Sequence, residues 1–242
     1  QYTIGLALSE IFTYCEKPEK FIAKGTCVFC DTNVLFRVLG IGSTDRSDSY
    51  SDFIKNMQRL GMKVKVYEHT VIEMIGIIEG AKYWVGNPEF DESLSSEATY
   101  YFIRNGWTVE KIDEFSCNLK TTLQSNYGIQ IENMPYPKAE DIQTVSEADI
   151  KQMIVDEYKQ SHSLKEIADM DYSIDQDAKS IFFTQHKNGN IVPYHINDVK
   201  NIFVTCNRSL AKVGWQLSNG IAGNKSYYIP TVMTDVKWGT LL

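Results

Sequence analysis

The chain has 242 residues and carries 24 Lys and Arg against 31 Asp and Glu, a net charge of -7. That length suits one large domain or two small ones, and 43% hydrophobic content supports an ordinary globular core. The acidic balance excludes a long basic groove for duplex DNA, because phosphate binding leans on clustered Lys and Arg; it leaves room for a small site that holds phosphate through bound cations.

No apolar run of about 18 residues marks a membrane span, and the amino end lacks the basic, then apolar, then small pattern of a secretory signal. Five cysteines, an odd number and scattered, fit reduced thiols in a cytoplasm better than a disulfide framework. The chain opens on Gln1 and closes on the apolar Trp238-Gly-Thr-Leu-Leu242, from which we expect a piece of a longer, cytoplasmic, multidomain protein.

Residues 2–24 read as a helix broken at Pro18, a lead-in to the first strand. Cys27-Val-Phe-Cys30 is that strand, charge-free and ending abruptly in Asp31. Val34, Leu35, Val38 and Leu39 then recur at helical spacing, closed by Gly40, so 26–40 reads as strand, tight turn and helix. Cys27 and Cys30 form a C-x-x-C. Residues three apart on a strand face opposite ways and no second Cys or His pair lies at zinc spacing, so neither a redox nor a zinc site is expected there. A polar loop over 42–48 precedes a second helix marked by Phe53, Ile54, Met57 and Leu60. Met62 to Tyr67 alternates as a half-buried strand. Thr70 is then expected to cap a helix carrying Val71, Met74, Ile75 and Ile78.

Residues 87–170 read as a mostly helical insertion. Helices are expected over 94–105, 108–126 and 147–160, the last opened by the capping box Ser146-x-x-Asp149. Ile129 and Ile131 suggest a short strand between them. The α/β pattern then resumes. Ser173-x-x-Gln176 reads as a capping box for a helix with Ile174, Ala178, Ile181 and Phe182 inward. Ile202 to Thr205 is another charge-free strand, followed by Asn207 and a helix to Trp215. Tyr227-Tyr-Ile229 is a further strand candidate.

Asp31, Glu73, Asp177 and Asn207 each have a purely structural explanation. Asp31 and Asn207 suit helix N-caps, Glu73 completes a capping box with Thr70, and Asp177 complements a helix dipole. Together they suggest more. If the sheet is parallel, strand ends and helix starts converge on the edge where open α/β sheets bind ligands. Three carboxylates crowded there repel unless a cation lies between them. Oxygen ligands suit Mg²⁺ or Mn²⁺.

The order and context of these residues resemble the PIN domain family of metal-dependent ribonucleases. Asp31-Thr32-Asn33 after a strand is similar to its first motif and Thr70-Val-Ile-Glu73 to its second. Asp177-Ala178 resembles the third, and Phe203-Val-Thr-Cys-Asn-Arg-Ser-Leu210 the segment "Val-Thr-x-Asp-x-x-Leu". The resemblance covers roughly 26–86 and 171–242. It implies a PIN-like three-layer fold, with a parallel sheet of four or five strands between helices. It also implies one or two divalent ions held by Asp31, Glu73 and Asp177, and single-stranded RNA as substrate. Asn207 stands where the family has a fourth acid. It would assist through its carbonyl or a water, with a weaker hold on a second ion. Asp175 is an alternative third acid. Thr32, Asn33, Thr205 and Arg208 are candidate contacts to substrate or to bound water.

Two other readings stay open. One is a non-catalytic PIN-like module that binds RNA or a protein. The other is a structural α/β domain whose acids are caps. His69 and Glu73 have the i, i+4 spacing of a helical metal pair, but His69 is expected before the helix and no third soft ligand is evident. His162, His186 and His195 read as surface. Lys55, Arg59, Lys63 and Lys65 form the densest basic patch, and Tyr100, Tyr101 and Trp107 the aromatic group most able to stack bases; a solvated face and core packing are the simpler accounts. The sequence does not set the oligomeric state.

Overall fold

A computed structural model of the chain describes residues 25–42, 47–92, 95–137, 145–223 and 228–242. The helix expected over 2–24 lies outside them. The five strands are β1 (Cys27–Cys30), β2 (Lys63–Tyr67), β3 (Gln130–Glu132), β4 (Asn201–Thr205) and β5 (Val232–Thr234). They form one sheet in the order β3-β2-β1-β4-β5, and every neighbouring pair is parallel. Among the described residues no helix is long and apolar enough to cross a membrane.

β1, β4 and β5 carry no charged residue because both sheet faces are covered. Alternation sorts their side chains between two cores. Val28, Cys30, Val64, Val66, Ile202, Val204 and Met233 face one layer of helices: α1 (Thr32–Val38), α2 (Ser47–Arg59), α3 (Glu68–Ala81), α4 (Glu97–Arg104) and α5 (Val109–Thr121). Phe29, Tyr67, Phe203 and Val232 face the other, made of α6 (Glu147–Tyr158), α7 (Leu164–Asp169), α8 (Asp171–Lys187) and α9 (Arg208–Ala222). A short α10 (Asp235–Gly239) follows β5 and buries Trp238 in the first core. The result is a three-layer α/β fold. As the alternation requires, Cys27 and Cys30 pack into different cores.

The segment 87–170 is woven into these layers. Its short strand adds to the sheet edge beside β2, α4 and α5 pack in one layer and α6 in the other. The capping box at Ser146 and Asp149 is present with both reciprocal bonds.

Three local expectations are corrected. The helix after β2 begins at Glu68, with Tyr67 at its N-cap, so Thr70 and His69 lie inside it and Glu73 completes no capping box. The helix carrying Asp177 begins at Asp171 without a side-chain cap, so Ser173 is inside its first turn. Residues 228–230 form no strand; the fifth strand is the following 232–234. Tyr67 and Met170 hold the two N-cap positions without a side-chain cap bond, and both pack into the second core; Pro230 has no N–H to give a strand ladder. The Ser173 hydroxyl, released from capping, is recruited by the site.

Candidate functional site

Asp31 leaves the carboxyl end of β1 and is the N-cap of α1. It is 5% exposed. Its Oδ1 accepts from the Thr32 backbone N–H at 2.7 Å and its Oδ2 from Thr205 Oγ1 at 2.6 Å. Thr205 ends β4, which pairs directly with β1, so the adjacent strand end supplies the hydroxyl. Thr205 Oγ1 in turn accepts from the Asn207 backbone N–H at 2.9 Å.

Glu73 reaches the same edge from α3 in the first helical layer and is also buried. Thr32 Oγ1 donates to its Oε2 at 2.6 Å, and Ser173 Oγ, from α8 in the opposite layer, donates to its Oε1 at 3.1 Å. The cluster is therefore tied to the sheet and to both layers. Asp177 follows one turn after Ser173 on α8, and the negative charges acting on it are those of Asp31 and Glu73.

Burial dominates the electrostatics. It raises Asp31 above the ordinary carboxylate range, against the bonds from Thr205 and Thr32 and the nearby Arg37 charge. Glu73 is raised by burial and by Asp31, against the two hydroxyl bonds. Asp177 is raised well above the ordinary value, first by burial and then by Asp31 and Glu73. Repulsion among two buried acids and the partly buried Asp177 is the arrangement a hard cation relieves.

The donor set fits such an ion: carboxylate and hydroxyl oxygens, with no sulfur or imidazole. The fit is one of chemistry. Among the described residues no three Asp, Glu, His or Cys side chains stand in a finished coordinating group, and both oxygens of Asp31 and of Glu73 accept bonds from Thr or Ser side chains or backbone.

The remaining candidates separate clearly. Asp175 turns to α6, where Lys151 Nζ lies 2.7 Å from its Oδ1, and is not drawn into the cluster. Asn207 is the N-cap of α9: Oδ1 accepts from the backbone N–H of Ser209 and Leu210, and Nδ2 donates to the Tyr158 hydroxyl at 2.7 Å. Asn33 and Arg208 are exposed next to the site. His69 accompanies Ser180, with Nε2 and Oγ 2.8 Å apart. Burial, then the Lys179 charge, lower its pKa to about 4. Of the basic patch, Lys65 pairs with Glu132 at 2.6 Å. Tyr101 and Trp107 pack against the first core.

Four residues near this edge are not apparent from sequence patterns. Ser173 looks like a cap and instead holds Glu73. Tyr158 continues the buried stripe of Ile150 and Ile154, so its spacing signals only core. Lys179 lines a depression of about 140 Å³ with Glu68, His69, Ile72, Asn133, Met134 and Phe183, between α3 and α8. Asp235, at the end of β5, is held by the Tyr50 hydroxyl and Cys206, with Arg37 3.9 Å away. Cys206 beside it is pushed up to about 12 by burial and the Asp235 charge. No protein family, curated protein or solved structure matches the chain.

Proposed function

We propose that this chain is a PIN-like, divalent-metal-dependent endoribonuclease domain acting on single-stranded RNA. The observation that carries the reading is that Thr32 bridges Asp31 and Glu73 and that Asp177, 146 positions after Asp31 in sequence, feels the charge of both at the carboxyl edge of a parallel sheet. Ligands of open α/β sheets bind at that edge. A five-stranded parallel sheet between helices is also the architecture that the motif resemblance implies.

Mg²⁺ or Mn²⁺ held by Asp31, Glu73 and Asp177 would activate water and stabilise the leaving oxygen of a phosphodiester. The chain's own groups do the rest. Thr205 and Thr32 fix the Asp31 carboxylate, and Thr32 and Ser173 fix Glu73, so little reorganisation is needed when charge arrives. Lys179 Nζ lies 5.1 Å from the Tyr136 ring centre and 5.9 Å from that of Phe183. It offers a positive charge beside the exposed Tyr136 ring, the combination single-stranded nucleic acid favours.

One observation favours the second reading, a non-catalytic PIN-like module for RNA or protein. Asn207 stands in the fourth position, and both ends of its amide are committed elsewhere. Calorimetric titration with Mn²⁺ and incubation with single-stranded RNA separate the two. The nuclease reading expects one saturable ion site and RNA cleavage, both lost in Asp31→Asn. Ion binding with intact RNA supports the binding module, and no ion binding at millimolar Mn²⁺ overturns the metal site.

A further inference from the structure

Asn207 and Tyr158 share a hydrogen bond whose direction is fixed by the fold. The Asn207 amide oxygen accepts from the backbone N–H of Ser209 at 2.9 Å and of Leu210 at 3.4 Å. Those donors require an oxygen, which settles the orientation of the amide. Its NH₂ must then face Tyr158, and Nδ2 donates to the phenol oxygen at 2.7 Å. An accepted bond occupies a lone pair and leaves the hydroxyl's own hydrogen to be given elsewhere. Tyr158 is 6% exposed, and its ring packs in the core shared by α8 and α9. Asn207 also gives its backbone N–H to Thr205 Oγ1 at 2.9 Å, and Thr205 gives its hydroxyl hydrogen to Asp31 Oδ2 at 2.6 Å. Two bonded steps through Asn207 and Thr205 therefore tie the Tyr158 hydroxyl to Asp31, and the negative charges acting on it are Asp177 and then Asp31.

We propose that Tyr158 contacts substrate: held by Asn207, its hydroxyl donates a hydrogen bond to a phosphate oxygen of a phosphodiester lodged beside Asp31 and Asp177. This rests on the phosphodiester-cleaving reading above. A phosphate approaching three acids meets repulsion that an ion relieves only in part. A neutral donor of fixed direction adds a bond to the phosphate oxygens without competing for the carboxylates, as a lysine there would. The assignment also gives Asn207 a reason to be an amide. It keeps the helix cap, and it presents a donor to Tyr158 where a carboxylate would present an acceptor.

The two accounts of position 207 predict opposite results. If it is a weakened metal ligand, Asn207→Asp raises cleavage. If it positions Tyr158, Asn207→Asp captures the phenol hydrogen and lowers cleavage even when the added charge tightens ion binding. The experiment measures kcat and KM on an unstructured, fluorescent single-stranded RNA with Mn²⁺, together with Mn²⁺ affinity and melting temperature. It compares the wild type, Tyr158→Phe, Asn207→Asp and the double variant. Tyr158→Phe is expected to lower kcat about 10- to 100-fold, the range for one bond to a charged group, with Mn²⁺ affinity and melting unchanged. The double variant is expected to fall no further than Tyr158→Phe, because both changes act on one hydroxyl.

The proposal is overturned if Tyr158→Phe keeps the wild-type kcat, if its loss follows ion affinity or melting, or if Asn207→Asp raises kcat. A wild type that neither binds Mn²⁺ nor cuts RNA overturns the nuclease reading and this contact with it. That outcome is distinct from an active wild type indifferent to Tyr158.

Discussion

Thr32 and Glu73 are joined side chain to side chain, with Thr32 Oγ1 donating to Glu73 Oε2 at 2.6 Å across 41 positions of sequence. Both residues are buried, so the bond settles a carboxylate that burial penalises. Thr32→Val keeps the shape and removes the donor, leaving Glu73 only the longer bond from Ser173. A bond to a charged group contributes about 1.5–3 kcal/mol. For a chain of this size the metal-free melting temperature should drop by about 3–12 °C. Thermal melts in EDTA and in Mn²⁺ check it: the deficit should narrow with the ion, which takes over the charge that Thr32 was answering.

Asp177 gives a pH dependence of definite sign. Its folded-state pKa is raised well above the ordinary 3.8 by burial and by Asp31 and Glu73. Over the window that opens at 3.8 and runs up to the raised value, the folded chain holds a proton that the unfolded chain has released. Stability from this group is therefore greatest at the acid end and is lost as pH rises through the folded value. In EDTA near neutral pH, Asp177→Asn should melt higher than the wild type, by roughly 2–4 °C for each kcal/mol of repulsion relieved. The gap should shrink as the pH is lowered towards 3.8. With Mn²⁺ the order should reverse, because the wild type gains a ligand the variant lacks.

The same residues show what a one-dimensional pattern carries. Asp31 is legible because a charge-free strand stops at it, and the strand end fixes its place in the fold. The parallel sheet follows from short apolar runs separated by helices. Glu73 and Asp177 are legible as positions, but their convergence depends on two helices lying on opposite faces of the sheet, which no local period encodes. Ser173 and Thr70 both look like caps; only Ser173 is drawn to Glu73, by a contact 100 residues away in sequence. Tyr158 is hidden because a core stripe and a site residue share one spacing on α6. β5 is three residues long, too short for alternation to show, and Asp235 is hidden with it.

Gly214 is a close-approach position on α9, where the helix meets β5. A methyl group there would lie 2.3 Å from Val232 Cβ and 3.2 Å from its Cα, so the strand itself must move. Gly214→Ala gains about 1 kcal/mol of helix propensity but loses more to overpacking, which costs about 1–3 kcal/mol and rises when backbone must shift. Gly220, on the same helix, faces open space, so Gly220→Ala should keep the propensity gain and add about 0.4–1 kcal/mol. Urea unfolding followed by circular dichroism should place the two variants on opposite sides of the wild type.

Lys179 is the residue that distinguishes RNA contact from ion contact. It lies two positions after Asp177 on α8, above the Tyr136 and Phe183 rings, and lines the depression between α3 and α8. If a strand of RNA crosses that depression, the lysine neutralises one phosphate, and each such contact contributes about 0.7 to the slope of log affinity against log salt for a single strand. Lys179→Met keeps much of the apolar stem and removes the charge. Its RNA affinity, measured by fluorescence anisotropy in EDTA so that a metal-dependent cut does not proceed, should be weaker and less sensitive to salt by about that slope. Mn²⁺ affinity should stay near the wild-type value, since the proposed reading assigns the ion to Asp31, Glu73 and Asp177. An unchanged salt slope would place the RNA path elsewhere on the sheet edge while leaving the metal site intact.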